Sequence, residues 1–186
     1  YCIDDFSLQI HNSLQLFLFS DALPGLIYYS HIPAIIVSLL LSFFILVNNR
    51  KSLAAKILAT VSILFSLWSM ADLFIWVLID SSWIMFLWSF WFTMLALIFV
   101  LSFYFLYVFI KKTDAPLLWK AIGTLAVLPV IVFSSSSFNL QFFDIYGCNA
   151  TENPIMINYV YSLSAIIFLS IVLFTAHQYR RAVALQ

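Results

Sequence analysis

The chain has 186 residues, 65% of them hydrophobic and 9% charged, with eight Lys and Arg balanced by eight Asp and Glu. Soluble domains carry roughly 25% charged residues, so this composition excludes a water-soluble globular domain, and zero net charge gives no pull toward nucleic acid. Lipid-facing surface accounts for the deficit, because apolar side chains meet no penalty in hydrocarbon.

The leading segment, 1–26, carries Phe6, Leu8, Ile10, Leu14, Phe17 and Leu18 but is interrupted by His11, Asn12 and Gln15. It is expected to lie on the bundle as an outer cap or interfacial helix. A bilayer core of roughly 30 Å needs about 20 apolar helical residues. Stretches that meet or approach this length fall at 27–47, 53–79, 83–110, 116–133 and 159–177. Pro33 sits early in the first, where a missing N–H does least harm, and Pro129 predicts a kink in the fourth. Asp80-Ser81-Ser82 leaves room only for an antiparallel helix pair. Segment 134–158 is expected as an outer loop, and 181–186 as the start of a cytoplasmic connection. These runs lack the alternation of a membrane barrel. The expected fold is therefore all-α: a polytopic transmembrane helical bundle over 27–180 in the cell membrane.

Arg50, Lys51, Lys56, Lys111, Lys112, Lys120, Arg180 and Arg181 all fall on one side of that bundle. Asp4, Asp5, Asp21, Asp80, Asp144 and Glu152 fall on the other. Cations resist translocation, so the expected orientation is N-terminus outside and C-terminus inside. With Tyr at position 1 and an end soon after a span, the chain reads as a piece of a longer protein.

Asp72 is the one acid inside an expected span, where a charge at the helix centre costs about 2.5–3.5 kcal/mol. It should face the bundle. The i, i+4 spacing groups it with Trp68 and Trp76, and folding the pair at Ser81 brings Ser89, Trp91 and Thr93 to similar depth. One reading is a stimulus-responsive or ligand-binding polar spot; the other is an Asp that ties two helices together. His31 and Asp144 are candidates for outer sensing, His31 because its charge can change near neutral pH. Cys2 and Cys148 both lie outside, where a disulfide is permitted if their geometry allows one. No metal-ligand spacing, phosphate-binding glycine loop or HExxH motif is present. No catalytic residue and no cofactor are implied.

Several stretches carry a resemblance. They are Tyr29-Ser30-His31-Ile32-Pro33-Ala34-Ile35-Ile36, then Asn48-Asn49-Arg50-Lys51 with Lys56-Ile57-Leu58, and Phe65-Ser66-Leu67-Trp68 through Asp72-Leu73 to Trp76. Met85-Phe86-Leu87-Trp88-Ser89 and Phe138-Asn139-Leu140, with Phe143-Asp144 and Cys148, complete it. Together they resemble the N-terminal "seven-transmembrane" input module of bacterial sensor histidine kinases. That resemblance implies a sensory module of two-component signal transduction, with a downstream cytoplasmic kinase domain, a homodimer, membrane lipid and a small ligand as partners. The chain departs from that pattern in having five expected spans rather than about seven, and neither a phosphoacceptor helix nor an ATP-binding domain. The alternatives are a fragment of a small-solute transporter or channel, and a membrane scaffold or assembly subunit.

Overall fold

The computed structural model describes residues 25–78, 81–144 and 149–184. Most of the expected outer cap and both cysteines, Cys2 and Cys148, lie outside these residues. Four of the five helices described are long and apolar enough to cross a membrane: α1 (Gly25–Asn48), α2 (Leu53–Val77), α3 (Ser81–Lys111) and α5 (Pro154–Ala184). Between α3 and α5 comes α4 (Leu117–Phe133), apolar but only 17 residues long. At 1.5 Å per residue it reaches about 25 Å, short of a full hydrocarbon core.

Contacts between helices set their directions. His31 meets Asp72 and Ser42 meets Ala59, so α1 and α2 are antiparallel. Val100 lies against Gly123 and Phe103 against Trp119, which makes α3 and α4 antiparallel. Phe92 pairs with Tyr161, Phe103 with Phe174 and Lys111 with Gln178, so α3 and α5 run parallel. α3 is the hub, touching α2, α4 and α5, while α1 packs on α2. This arrangement gathers all eight Lys and Arg at one end of the bundle.

In lipid no hydrophobic drive pulls apolar helices together, and close packing with polar contacts must do it. α2 meets this need with a buried stripe of small residues, Ala55, Ala59, Ser62, Ser66 and Ser69, at alternating spacings of four and three. Ser42 of α1 uses that proximity to donate to the Ala59 carbonyl at 3.2 Å. On the other side of the hub, Phe92 and Ala96 of α3 pack with Val127 and Val130 of α4 and Met156 and Val160 of α5. Apolar side chains such as Phe43 and Leu173 stay about two-thirds exposed on the outside, where a membrane would cover them.

The segment expected as an outer loop is ordered. After the Ser134–Ser137 turn, β1 (Leu140–Asp144) pairs antiparallel with β2 (Asn149–Glu152), a small sheet that an all-α expectation lacks. Gln141 is the extra residue of a bulge, since Leu140 opposes Glu152 while Phe142 opposes the adjacent Thr151. The last helix starts at Pro154 rather than near Tyr159. Asn153 caps it by accepting from Ile155 N at 2.9 Å, and proline suits the first helical position because its N–H would go unused.

Candidate functional site

Near the hairpin end, the two candidates His31 and Asp72 come together. His31 Nε2 lies 2.8 Å from Asp72 Oδ2, and each side chain is about one-fifth exposed. His31 Nδ1 lies 2.9 Å from the Ile27 carbonyl and 2.9 Å from Ser30 Oγ, which itself donates to Ile27 O. Nδ1 can donate to the carbonyl or accept from the Ser30 hydroxyl, according to the tautomer. Two facing lone pairs would repel at 2.8 Å, so a proton lies between Nε2 and Oδ2. This hydrogen bond is what makes an acid tolerable at this depth. Tyr28, Leu73 and Val77 pack as a buried cluster beside the pair, with Ile27 and Ile32 against them.

The expected partners of Asp72 were on the third helix, and this is corrected. Its carboxylate goes to His31 on α1, while Ser89 Oγ donates to the Phe86 carbonyl at 2.7 Å and Thr93 Oγ1 is buried without a partner. The reason is angular. Four residues turn a helix by about 400°, so each i, i+4 step drifts about 40° and Trp68 and Trp76 end about 80° apart. Trp68 accordingly faces α3, its ring 5.3 Å from that of Trp91, while Asp72 faces α1 and Trp76 is 57% exposed. The indole N–H groups of Trp68 and Trp91 are both buried without acceptors. Asp144, the other outer candidate, ends β1 opposite Asn149 and is remote in sequence from either member of the pair.

Three residues outside the expected site anchor the hairpin. Asn139, 1% exposed, donates through Nδ2 to the carbonyls of Ser134 at 2.7 Å and Ser89 at 3.1 Å. Trp88 Nε1 donates to Glu152 Oε1 at 2.8 Å, fastening β2 to α3. The Asn153-Pro154 dipeptide was the readable signal for the helix start here; nothing in local sequence pointed to Asn139. An open groove of about 340 Å³ lies between Met85, Phe86 and Ser89 of α3, Leu140 of β1 and the Ser134–Ser137 turn.

At the opposite end Asp114 accepts from Lys120, from the Tyr104 hydroxyl at 2.6 Å and from Ala115 N at 2.7 Å. The Lys120 hydrogen bond, then that from Tyr104, holds its carboxyl below the usual carboxylate range.

Comparison with known protein families, curated proteins and solved structures finds no match to this chain. The functional argument therefore rests on the geometry above.

Proposed function

We propose that this chain is a membrane-embedded sensory module, with its hairpin end outside and its cationic end in the cytoplasm. The observation that carries this reading is the continuity of hairpin and helix. β2 passes through Asn153 directly into α5, one 31-residue helix that runs beside α3 to the cationic end. Glu152, one residue before the cap, is also held by Trp88 of α3. A stimulus that moves the hairpin thus acts on both long helices at once. It can bias them only by binding one packing better than another. The His31–Asp72 pair joins α1 to the same end and is the second element such a stimulus would bias. The likeness to histidine-kinase input modules supplies the output: a cytoplasmic kinase domain continuing from α5.

Spin labels at positions 112 and 179, measured by pulsed electron resonance on the chain in lipid nanodiscs, test this. Trp88→Phe and Glu152→Ala should each shift or broaden the label-to-label distance at the cationic end. An unchanged distribution in both variants, with the hairpin demonstrably loosened, would overturn transmission through α3 and α5.

The hydrogen-bonded His31–Asp72 pair between α1 and α2 favours one second reading, a proton-coupled small-solute transporter. In that case proteoliposomes carrying the wild-type chain would dissipate an imposed pH gradient faster than those carrying Asp72→Asn.

A further inference from the structure

The groove beside the hairpin is lined by Met85, Phe86 and Ser89 of α3, by Leu140 of β1 and by the Ser134–Ser137 turn. Its volume of about 340 Å³ stands at the lower end of the range for small-molecule pockets, so it suits a small occupant. One wall is aromatic. Phe86 is 53% exposed, and its ring centroid lies 6.0 Å from that of Trp83 and 5.1 Å from that of Phe90. The facing wall is the run of serines that follows α4.

The polar groups of this groove are short of donors. Ser134 Oγ donates to the Ile131 carbonyl at 2.9 Å and Ser136 Oγ to that of Phe133 at 2.8 Å, so both offer a ligand only lone pairs. Asn139 Nδ2 spends its protons on the carbonyls of Ser89 and Ser134, which fixes which end of the carboxamide is nitrogen. Its Oδ1 is left buried without a partner. α4 ends at Phe133, directly before the turn, and a helix C-terminus carries partial negative charge. A full charge stands beside these groups. Glu152 is the cross-strand partner of Leu140, so the two side chains share one face of the sheet. Its Oε1 accepts from Trp88, the residue before Ser89. An indole is a neutral donor, so this bond leaves the carboxylate without a counter-charge. Among the described residues the ion pairs are His31–Asp72 and Lys120–Asp114, and every Lys and Arg lies at the opposite end of the bundle.

We infer that this groove binds a small primary ammonium compound with an apolar body. The ammonium supplies the donors that the serine hydroxyls lack, and Glu152 and the α4 terminus match its charge. An aromatic face such as that of Phe86 favours a cation near it, and Met85 and Leu140 give the apolar body a surface to cover. A neutral alcohol of the same shape brings one donor and no charge, while a carboxylate meets acceptors and like charge. The inference stands on the groove alone. Binding does not require transmission through α3 and α5, and failure of that transmission would leave it untouched.

The test uses the whole chain in phosphatidylcholine nanodiscs with para-fluorophenethylamine, followed by the width of its fluorine resonance. Empty nanodiscs give the baseline for partition into lipid. Saturable broadening above that baseline is expected for the amine, and binding weaker by roughly tenfold or more for para-fluorophenethyl alcohol and para-fluorophenylacetate. Glu152→Gln keeps an acceptor for Trp88 Nε1 and should weaken the amine by roughly tenfold. Ser135→Phe places a ring at an exposed position on the groove wall and should abolish saturable binding. Asp114→Asn, at the far end, should change nothing. Broadening no greater than with empty nanodiscs would overturn the inference, as would equal affinity for the amine and the alcohol. So would binding that survives Ser135→Phe, or an Asp114→Asn loss equal to that of Glu152→Gln, which would mean a diffuse field rather than a site.

Discussion

His31 and Asp72 differ in what each leaves behind when removed. With Asp72→Asn, imidazole Nε2 can still accept a hydrogen bond from the new amide, and no charge is stranded. With His31→Ala, the carboxyl keeps its place at the α1–α2 seam without a partner, and a lone intramembrane acid costs up to about 2.5–3.5 kcal/mol. We therefore expect His31→Ala to destabilise by about 2 kcal/mol and Asp72→Asn by about 1 kcal/mol or less, the usual scale of an interhelical hydrogen bond. Unfolding by titration with a denaturing detergent would measure both, and the opposite order would refute His31 as the partner that offsets the cost of Asp72. Asp114 gives a prediction in pH. Its carboxyl is depressed by Lys120 and Tyr104, so its stabilising contribution is present above the unfolded carboxylate value of about 4 and disappears as pH falls through the lower folded value. The stability difference between wild type and Asp114→Asn should be seen at neutral pH and close as the medium becomes strongly acidic. A difference that grew with acidity would contradict the direction. Both members of the half-buried pair were legible singly, Asp72 as an acid in an apolar run and His31 as a titratable group near a helix end. Their union was not, because periodicity along one helix carries no information about which residue of a neighbour stands opposite.

Helices were the readable elements of this chain, since about 20 apolar residues in succession permit little else. Their ends were less so. A hydrophobic window loses α5 where Asn158 interrupts it, whereas the helix actually begins where Asn153 and Pro154 satisfy its first turn. The hairpin escaped for a different reason: strands of five and four residues fall below the length at which alternation is distinguishable from a loop. What holds the hairpin in place is tertiary, and Asn139 is the sharpest case. Replacing it with Ala would leave the buried carbonyls of Ser89 and Ser134 without their shared donor, at about 1–3 kcal/mol. The expected signature is local. Amide hydrogen exchange should accelerate across Leu140–Asp144 in Asn139→Ala while α2 keeps its protection. Unchanged exchange in β1 would show that Trp88 and Glu152 alone seat the sheet.

For the molecule as a whole, the alternation of helix directions turns a one-dimensional charge pattern into a polarised object. The C-terminal ends of α1, α3 and α5 and the N-terminal ends of α2 and α4 carry every Lys and Arg, and the hairpin occupies the other end. Each helix inverts the next, so one misplaced helix would have scattered these charges over both ends. Translocating even one such cluster would oppose the bias that retains Lys and Arg in the cytoplasm, which argues for a single orientation rather than a dual one. Lys112 and Phe142 report on the two ends, since both are exposed and lie outside the five helices. In a background with Cys2 and Cys148 replaced by Ser, a membrane-impermeant maleimide applied to intact cells should label Phe142→Cys and leave Lys112→Cys untouched until the membrane is opened. Labelling of Lys112→Cys in sealed cells with protection of Phe142→Cys would invert the topology. Partial labelling of both would mean mixed insertion, and the hairpin could not then serve as an outward-facing receiver.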